Sequence, residues 1–154
     1  MSMHLAHYLG LLHRSQHELA DALYAVRRAH PDEPDLIGVC ERLAGQCGDN
    51  ARRLEPLVRR YSAHLSEEPE RMHSAIFTGA RRGRLGLLRD LHDLYLLATQ
   101  CEISWTLIAH AAEGAGDEEL IDVVRRCGAA TAAQLLWLRT LMRQIAPQTL
   151  IVAS

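Results

Sequence analysis

The stretch CGAATAAQLLWL, residues 127–138, contains no charged side chain, and its apolar residues point to every side of a helical wheel. A single amide, Gln134, lies near its middle. A surface helix normally keeps one apolar side, so a helix that is apolar all round is expected to be covered on two sides. This stretch therefore predicts a helix that packs into a bundle with one side and has a second apolar side to cover.

Apolar residues recur at alternating steps of three and four along four segments of similar length. These stripes run from Leu5 to Val26, from Leu36 to Tyr61, from Leu87 to Ile108 and from Leu120 to Ile145. Continuous stripes of this kind are typical of an antiparallel helix bundle. We therefore predict one domain, residues 1–154, with helices at about 3–29, 34–62, 84–113 and 117–145.

The connections between these helices differ in length. The first is a short proline-containing turn ending at Pro34, and the third is closed by Gly116 and by Asp117 as the helix cap. The second is a long crossover, residues 63–83, in which we expect a short helix from Ser66 to about Gly79. A crossover of this length can run along the whole bundle, and we expect it to start the third helix at the end where the first began.

Short, long and short connections resemble the layout of the ferritin-like superfamily, and the resemblance covers nearly the whole chain. It implies an all-α, ferritin-like antiparallel four-helix bundle with one long crossover between helices 2 and 3. Di-iron members of that superfamily place one Glu on each of two helices and a Glu-x-x-His pair on each of the other two. The resemblance therefore indicates where a metal centre would lie, at the middle of the bundle.

The corresponding positions carry other side chains, which we call the mid-bundle layer: Gln16, Cys47, Asn50, Cys101, Glu102, Thr131 and Gln134. Two pairs, Cys47 with Asn50 and Thr131 with Gln134, keep the spacing of the Glu-x-x-His motif. Amides are poor ligands for a hard cation, and residues 123–154 contain no Asp, Glu or His. We therefore expect a vestigial centre without metal or other cofactor, in which Gln16, Asn50 and Gln134 hydrogen-bond to one another, to Thr131 or to trapped water.

Two other interpretations of the mid-bundle layer remain open. Isolated polar residues in a bundle core often serve only to fix the register of the helices. Alternatively, the protein binds a metal, either iron through Glu102 and further ligands, or copper or zinc through the thiols of Cys47, Cys101 and Cys127. A small apolar ligand in the bundle is a further possibility, but the sequence shows no convergent polar groups for it.

A second apolar set lies opposite the core stripes of the last two helices. We call it the outer face: Leu96, Ile103, Leu107, Ala129, Ala132, Ala133 and Leu136. It predicts a homodimer, or as an alternative a complex with another protein, through helices three and four. As another alternative, the crossover, around Met72, Ile76 and Phe77, covers part of this face.

Composition and motifs exclude several other functions. A net charge of −2 gives no electrostatic basis for binding nucleic acid, and the longest uncharged run is too short to span a bilayer. No signal peptide is visible, and four cysteines without C-x-x-C spacing favour a reduced, cytoplasmic protein. Without a nucleophile elbow or a phosphate-binding loop, we expect no catalytic residue.

Two local patterns have ordinary interpretations. His13 and His17 are spaced so that one metal ion can bridge them, but with His7 and Glu18 they point away from the first stripe, which favours a solvated surface. The segment from Gly79 to Arg84 is able to bind an anion at a helix start. We interpret it instead as a flexible joint between the crossover and the third helix.

Overall fold

The computed structural model describes residues 3–63 and 75–152. Within these ranges all regular structure is helical: α1 (Met3–Ala29), α2 (Pro34–Ser62), α3 (Gly83–Ala115), α4 (Glu118–Pro147) and a π-helical turn at Gln148–Val152. The predicted all-α class with four long helices is confirmed. The observed boundaries lie within about two residues of the predicted ones, which is the usual scatter of helix ends.

Local chemistry explains where the helices begin and end. Pro34 occupies the first turn of α2, where its missing N–H costs nothing. Gly116 adopts φ 66° after the end of α3, a left-handed conformation that glycine accepts without strain. Asp117 then caps α4, since its carboxylate accepts the backbone N–H of Leu120 at 3.1 Å. The predicted turn between α3 and α4 is therefore confirmed.

The four helices form one core. α1 packs along α2, α3 packs along α4, and weaker contacts join α1 to α3 and α2 to α4. Each predicted stripe supplies side chains that are fully buried, among them Leu9, Leu23, Leu54, Leu94 and Leu138. The periodicity of the sequence thus identifies the core directly.

Contacts at the helix ends show how the helices are oriented. His30, at the end of α1, bonds to Asp90 near the start of α3, and Glu33 pairs with Arg84 beside it. At the opposite end, Tyr61 of α2 donates to Asp117 at the start of α4. α3 therefore begins where α1 ends, which corrects our expectation that it begins where α1 begins. The reason is geometric. α2 runs back to the end of the bundle where α1 begins, so a crossover as long as the bundle brings the chain to the opposite end, where α1 ends.

The crossover is described only in part. Residues 64–74, which include Met72 and most of the expected short helix, lie outside the described residues. Residues 75–82 contain no helix, so the expected helix does not extend to Gly79. Ile76 and Phe77 are half-buried against the core, and residues 75–79 border a cavity of about 490 Å³ together with α1 and Leu97 of α3. The described part of the crossover therefore lies against α1 and α3.

In residues 3–63 and 75–152, no helix has the length and apolar character needed to cross a membrane.

Candidate functional site

The mid-bundle layer points into the core, as its register predicts. Gln16, Cys47, Cys101 and Thr131 are fully buried, and Asn50 and Gln134 are nearly so. Glu102 differs, because it lies partly exposed on α3. Six of the seven predicted positions are thus enclosed by the bundle.

Hydrogen bonds divide this layer into separate parts. Asn50 Nδ2 of α2 donates to Gln16 Oε1 of α1 at 3.1 Å, as expected. Gln134 of α4 instead donates from its Nε2 to Gln46 Oε1 at 3.2 Å. Its own Oε1 accepts from the Cys47 thiol, whose sulfur lies 3.9 Å away.

Thr131 has a different partner again. Its Oγ1 accepts the indole N–H of Trp105 on α3 at 3.0 Å and donates to the carbonyl of Cys127. The expected bond between Asn50 and Gln16 is therefore present, whereas Gln134 bonds to Gln46 and Cys47 of α2 and not to the other two amides or Thr131.

One polar group of the layer is only weakly satisfied. Gln16 Nε2 is buried and makes no regular hydrogen bond among the described residues, although the Gln16 side chain lies close enough to the Cys101 thiol to lower the pKa of that thiol. A buried donor without any partner costs about 1–3 kcal/mol, and a thiol offsets only part of this cost, so the amide is not present for stability alone. This cost is consistent with a residue that specifies the register of the bundle or remains from an earlier site.

Burial favours the protonated form of the core thiols. The pKa of Cys47 and of Cys101 is raised to about 12, mainly by burial, and the nearby Cys47 sulfur contributes to the shift of Cys101. Burial also raises the pKa of Cys127, to about 11. A metal ligand must be a thiolate, so each thiol would have to lose its proton in an environment that opposes this.

The structure brings together no set of ligands at this layer. Across residues 3–63 and 75–152, no three His, Cys, Asp or Glu side chains form a group that could hold a metal ion. In this part of the chain, neither Glu102 nor any of the core cysteines belongs to such a group. Neither metal interpretation therefore gains support from the arrangement of the described residues.

Replacing Gln134 by Leu tests how the layer contributes to stability. We expect the fold to persist and the free energy of unfolding to change by no more than about 2 kcal/mol in either direction. The added apolar burial is offset because Gln46 loses its donor, although Gln46 is partly exposed and can bond to water. Urea denaturation of the parent and the variant measures the change, and a loss well above this limit would show that Gln134 has a larger structural role.

A largely buried cluster of charged side chains, at the end of the bundle where α1 ends and α3 starts, was not expected from the sequence. We call it the Asp90 cluster: His30, Arg81, Asp90 and Asp93. Asp90 is completely buried, and its Oδ2 accepts His30 Nε2 at 2.8 Å. The Arg81 guanidinium lies 2.9 Å from Asp90 and 3.0 Å from Asp93. These contacts tie the end of α1 and the end of the crossover to the first turns of α3.

Arg81 also changes the interpretation of the glycine- and arginine-rich segment. Its backbone N–H donates to both oxygens of Asp90, at 3.0 and 3.2 Å. The chain can approach α3 this closely because Gly86 lacks a side chain, since a Cβ there would lie 2.9 Å from that of Arg81. The segment is therefore anchored to α3, which corrects our expectation of a flexible joint. An anion site would need a free guanidinium, but that of Arg81 is already paired with two carboxylates.

A local signal for this cluster does exist in the sequence. Asp90 and Asp93 have the i, i+3 spacing of side chains that share a helix face, and they border the stripe formed by Leu87, Leu91 and Leu94. Acidic residues this close to a core stripe require a partner if they are buried. The partners, however, lie in the turn after α1 and in the crossover, where periodicity carries no information.

The histidines of α1 differ from the expected solvated surface. His7 is buried, and its Nε2 has no hydrogen-bond partner in the described part of the chain. His13 is half-buried, and burial together with the nearby His17 lowers its pKa, so its ring is uncharged at neutral pH. His17 is exposed, as expected, and its ring contacts that of His13.

The outer face is exposed along its whole length. Its large side chains are Leu96, Ile103, Leu107 and Leu136, with 43%, 55%, 48% and 65% of their surface accessible. The three alanines, Ala129, Ala132 and Ala133, are exposed as well. The predicted direction of these side chains, away from the core, is therefore confirmed.

Comparison with known proteins does not extend this description. No family model, no curated protein and no solved structure matches the chain.

Proposed function

We propose that this protein is a non-catalytic four-helix bundle that acts by association, pairing with a second copy of itself through the outer face. The observation that carries this proposal is the exposure of seven apolar residues of α3 and α4 that point away from the core. Single apolar residues on a surface need no explanation, but four large ones that recur along the outward sides of two neighbouring helices indicate an interaction site.

The residue types of this face suit helix packing. Ala129, Ala132 and Ala133 leave the backbone of α4 accessible to a partner helix, since small side chains permit close approach. Ile103 and Leu136 are both more than half exposed and supply apolar area. A second copy offers the same surface, and self-complementary pairing of identical patches is the usual route to a homodimer.

The position of the crossover favours a second copy over cover from the same chain. Residues 75–79 border α1 and Leu97, and Leu97 itself is buried while Leu96 is exposed. The described part of the crossover therefore lies on the α1 side of α3 and leaves Leu136 on α4 uncovered.

We further propose that the bundle has a ferritin-like layout with a vestigial metal centre, and that the protein is located in the cytoplasm. α2 ends beside the start of α4 and α3 starts beside the end of α1, which supports one crossover between helices 2 and 3. The buried amide of Gln16 at mid-bundle, which makes no regular hydrogen bond to a described residue through its Nε2, supports a site that has lost its ligands. Four free, buried cysteines support a reducing compartment.

The test is the mass of the protein in solution. Light scattering at micromolar concentration should give twice the mass of the chain for the parent protein. The double variant Ile103→Glu, Leu136→Glu should give the mass of one chain with an unchanged helical circular dichroism spectrum, because burying four new carboxylates in the dimer is prohibitive.

A matched control separates this interface from general surface effects. Leu85→Glu, Leu150→Glu also replaces two leucines that are 60% and 63% exposed, but neither belongs to the outer face. We expect this control to remain dimeric. A folded monomeric parent, or equal dissociation of both double variants, would contradict the proposal. Unfolding of the Ile103→Glu, Leu136→Glu variant would favour cover by the crossover.

A further inference from the structure

Two histidine side chains meet on the surface of α1. His13 and His17 are one helical turn apart, and their ring centroids lie 4.8 Å from each other in an edge-to-face arrangement with an interplanar angle of 78°. Side chains at i and i+4 of a helix share one face, so the helix itself holds the two imidazoles together. No rearrangement of the backbone is needed to bring them into contact.

The surroundings differ for the two rings. His13 is half-buried, which restricts its rotamers, whereas His17 is exposed and leaves one side open to solvent. Glu55 of α2 lies close enough to influence the charge of His13. Its ion pair with Arg59, at 4.0 Å between two largely exposed side chains, is weak and easily exchanged.

We propose that His13 and His17 form a two-histidine chelate for a divalent ion of the nickel, copper and zinc group. Neutral imidazole nitrogens suit these ions, whereas magnesium and calcium prefer oxygen ligands. Water molecules complete the coordination on the open side, and Glu55 supplies negative charge beside the ion. This surface site is separate from the mid-bundle layer and is independent of the proposed dimer.

The site contains fewer ligands than a structural zinc site. It needs only two protein ligands, which agrees with the finding that the described residues form no group of three. Its affinity therefore depends on both histidines binding together, because the second contact is made at the high effective concentration set by the helix. Removing either ring should abolish that advantage.

Isothermal titration calorimetry of the untagged protein with Zn²⁺ tests this proposal. We expect one equivalent to bind, and His17→Gln to weaken the affinity about tenfold or more. His13→Gln should do the same, and circular dichroism will show whether this half-buried substitution preserves the fold. His17 is exposed, so its variant is informative even if the His13 variant is unstable.

The control uses two other exposed histidines. His92→Gln, His110→Gln removes two imidazoles of α3 that are far apart along the helix, and it should leave the Zn²⁺ affinity unchanged. An equal concentration of Mg²⁺ should not compete. Equal weakening by the α1 and α3 variants, or a parent protein that binds no Zn²⁺, would overturn the proposal.

Discussion

Replacing Asp90 by Asn is expected to lower the free energy of unfolding by about 2–4 kcal/mol, somewhat less than the about 3–5 kcal/mol lost when a fully buried ion pair is broken. Both carboxylate oxygens of Asp90 act only as acceptors, for His30 Nε2, the Arg81 guanidinium and the Arg81 backbone N–H. Asparagine keeps the shape but turns one oxygen into a donor. At least one donor then faces another donor in a site that has no access to water.

Urea denaturation of this variant should be compared with that of Asp122→Asn. Asp122 is exposed on α4, so the same loss of charge there should change stability by no more than about 0.5 kcal/mol. Arg81 is partly exposed and can regain water, which is why the expected loss is below that of a fully enclosed pair. If the two variants unfolded at the same urea concentration, the Asp90 cluster would not be a source of stability.

The second large effect is expected from Leu138→Ala. Leu138 of α4 is almost completely buried. It belongs to the same stripe as Gln134 and lies one helical turn after it. Truncating a leucine in a packed core removes its apolar burial and leaves a cavity, which together cost about 2–5 kcal/mol. The loss should exceed any change caused by Gln134→Leu, since that substitution adds apolar atoms.

Thermal melts of Leu138→Ala and Leu85→Ala provide the comparison. Leu85, in the first turn of α3, is 60% exposed, so its truncation leaves no cavity and should change the melting temperature little. Similar shifts for the two variants would mean that α4 is rotated about its axis relative to the packing described above.

The sequence predicts the core well because one physical rule determines it. A helix in a bundle turns the same side to its neighbours along its length, so residues such as Leu12, Leu43, Leu94 and Leu120 must be apolar and evenly spaced. The same rule predicts the exposed direction of Ile103 and Leu136. What these residues contact in another molecule is not encoded in their spacing, and the dimer therefore stays a prediction.

Contacts between distant segments were not predictable in the same way. His30 and Asp90 are separated by 60 positions, and Gln46 and Gln134 by 88. Periodicity gives the side of a helix but not the axial offset between helices. Six of the seven mid-bundle positions therefore point into the core as predicted, whereas Glu102 is partly exposed and the bond of Gln134 to Gln46 was not predicted.

His7 shows a related limit of helical-wheel reasoning. It points away from the stripe containing Leu5 and Leu9, which indicated exposure, but the structure buries it. The wheel shows where the main core lies and is silent on whether another part of the chain covers the opposite side. Such cover has to be seen in three dimensions.

The four free cysteines can be used to follow how the bundle opens. Cys40 and Cys47 lie on α2, Cys101 on α3 and Cys127 on α4, and all four are inaccessible in the folded state. An alkylating reagent needs an exposed thiolate, so each sulfur reacts only during openings in which its own helix or a helix packed on it detaches. The order in which the four react would show whether α2 can leave the bundle while α3 and α4 remain paired, or whether the helices separate in a single cooperative event.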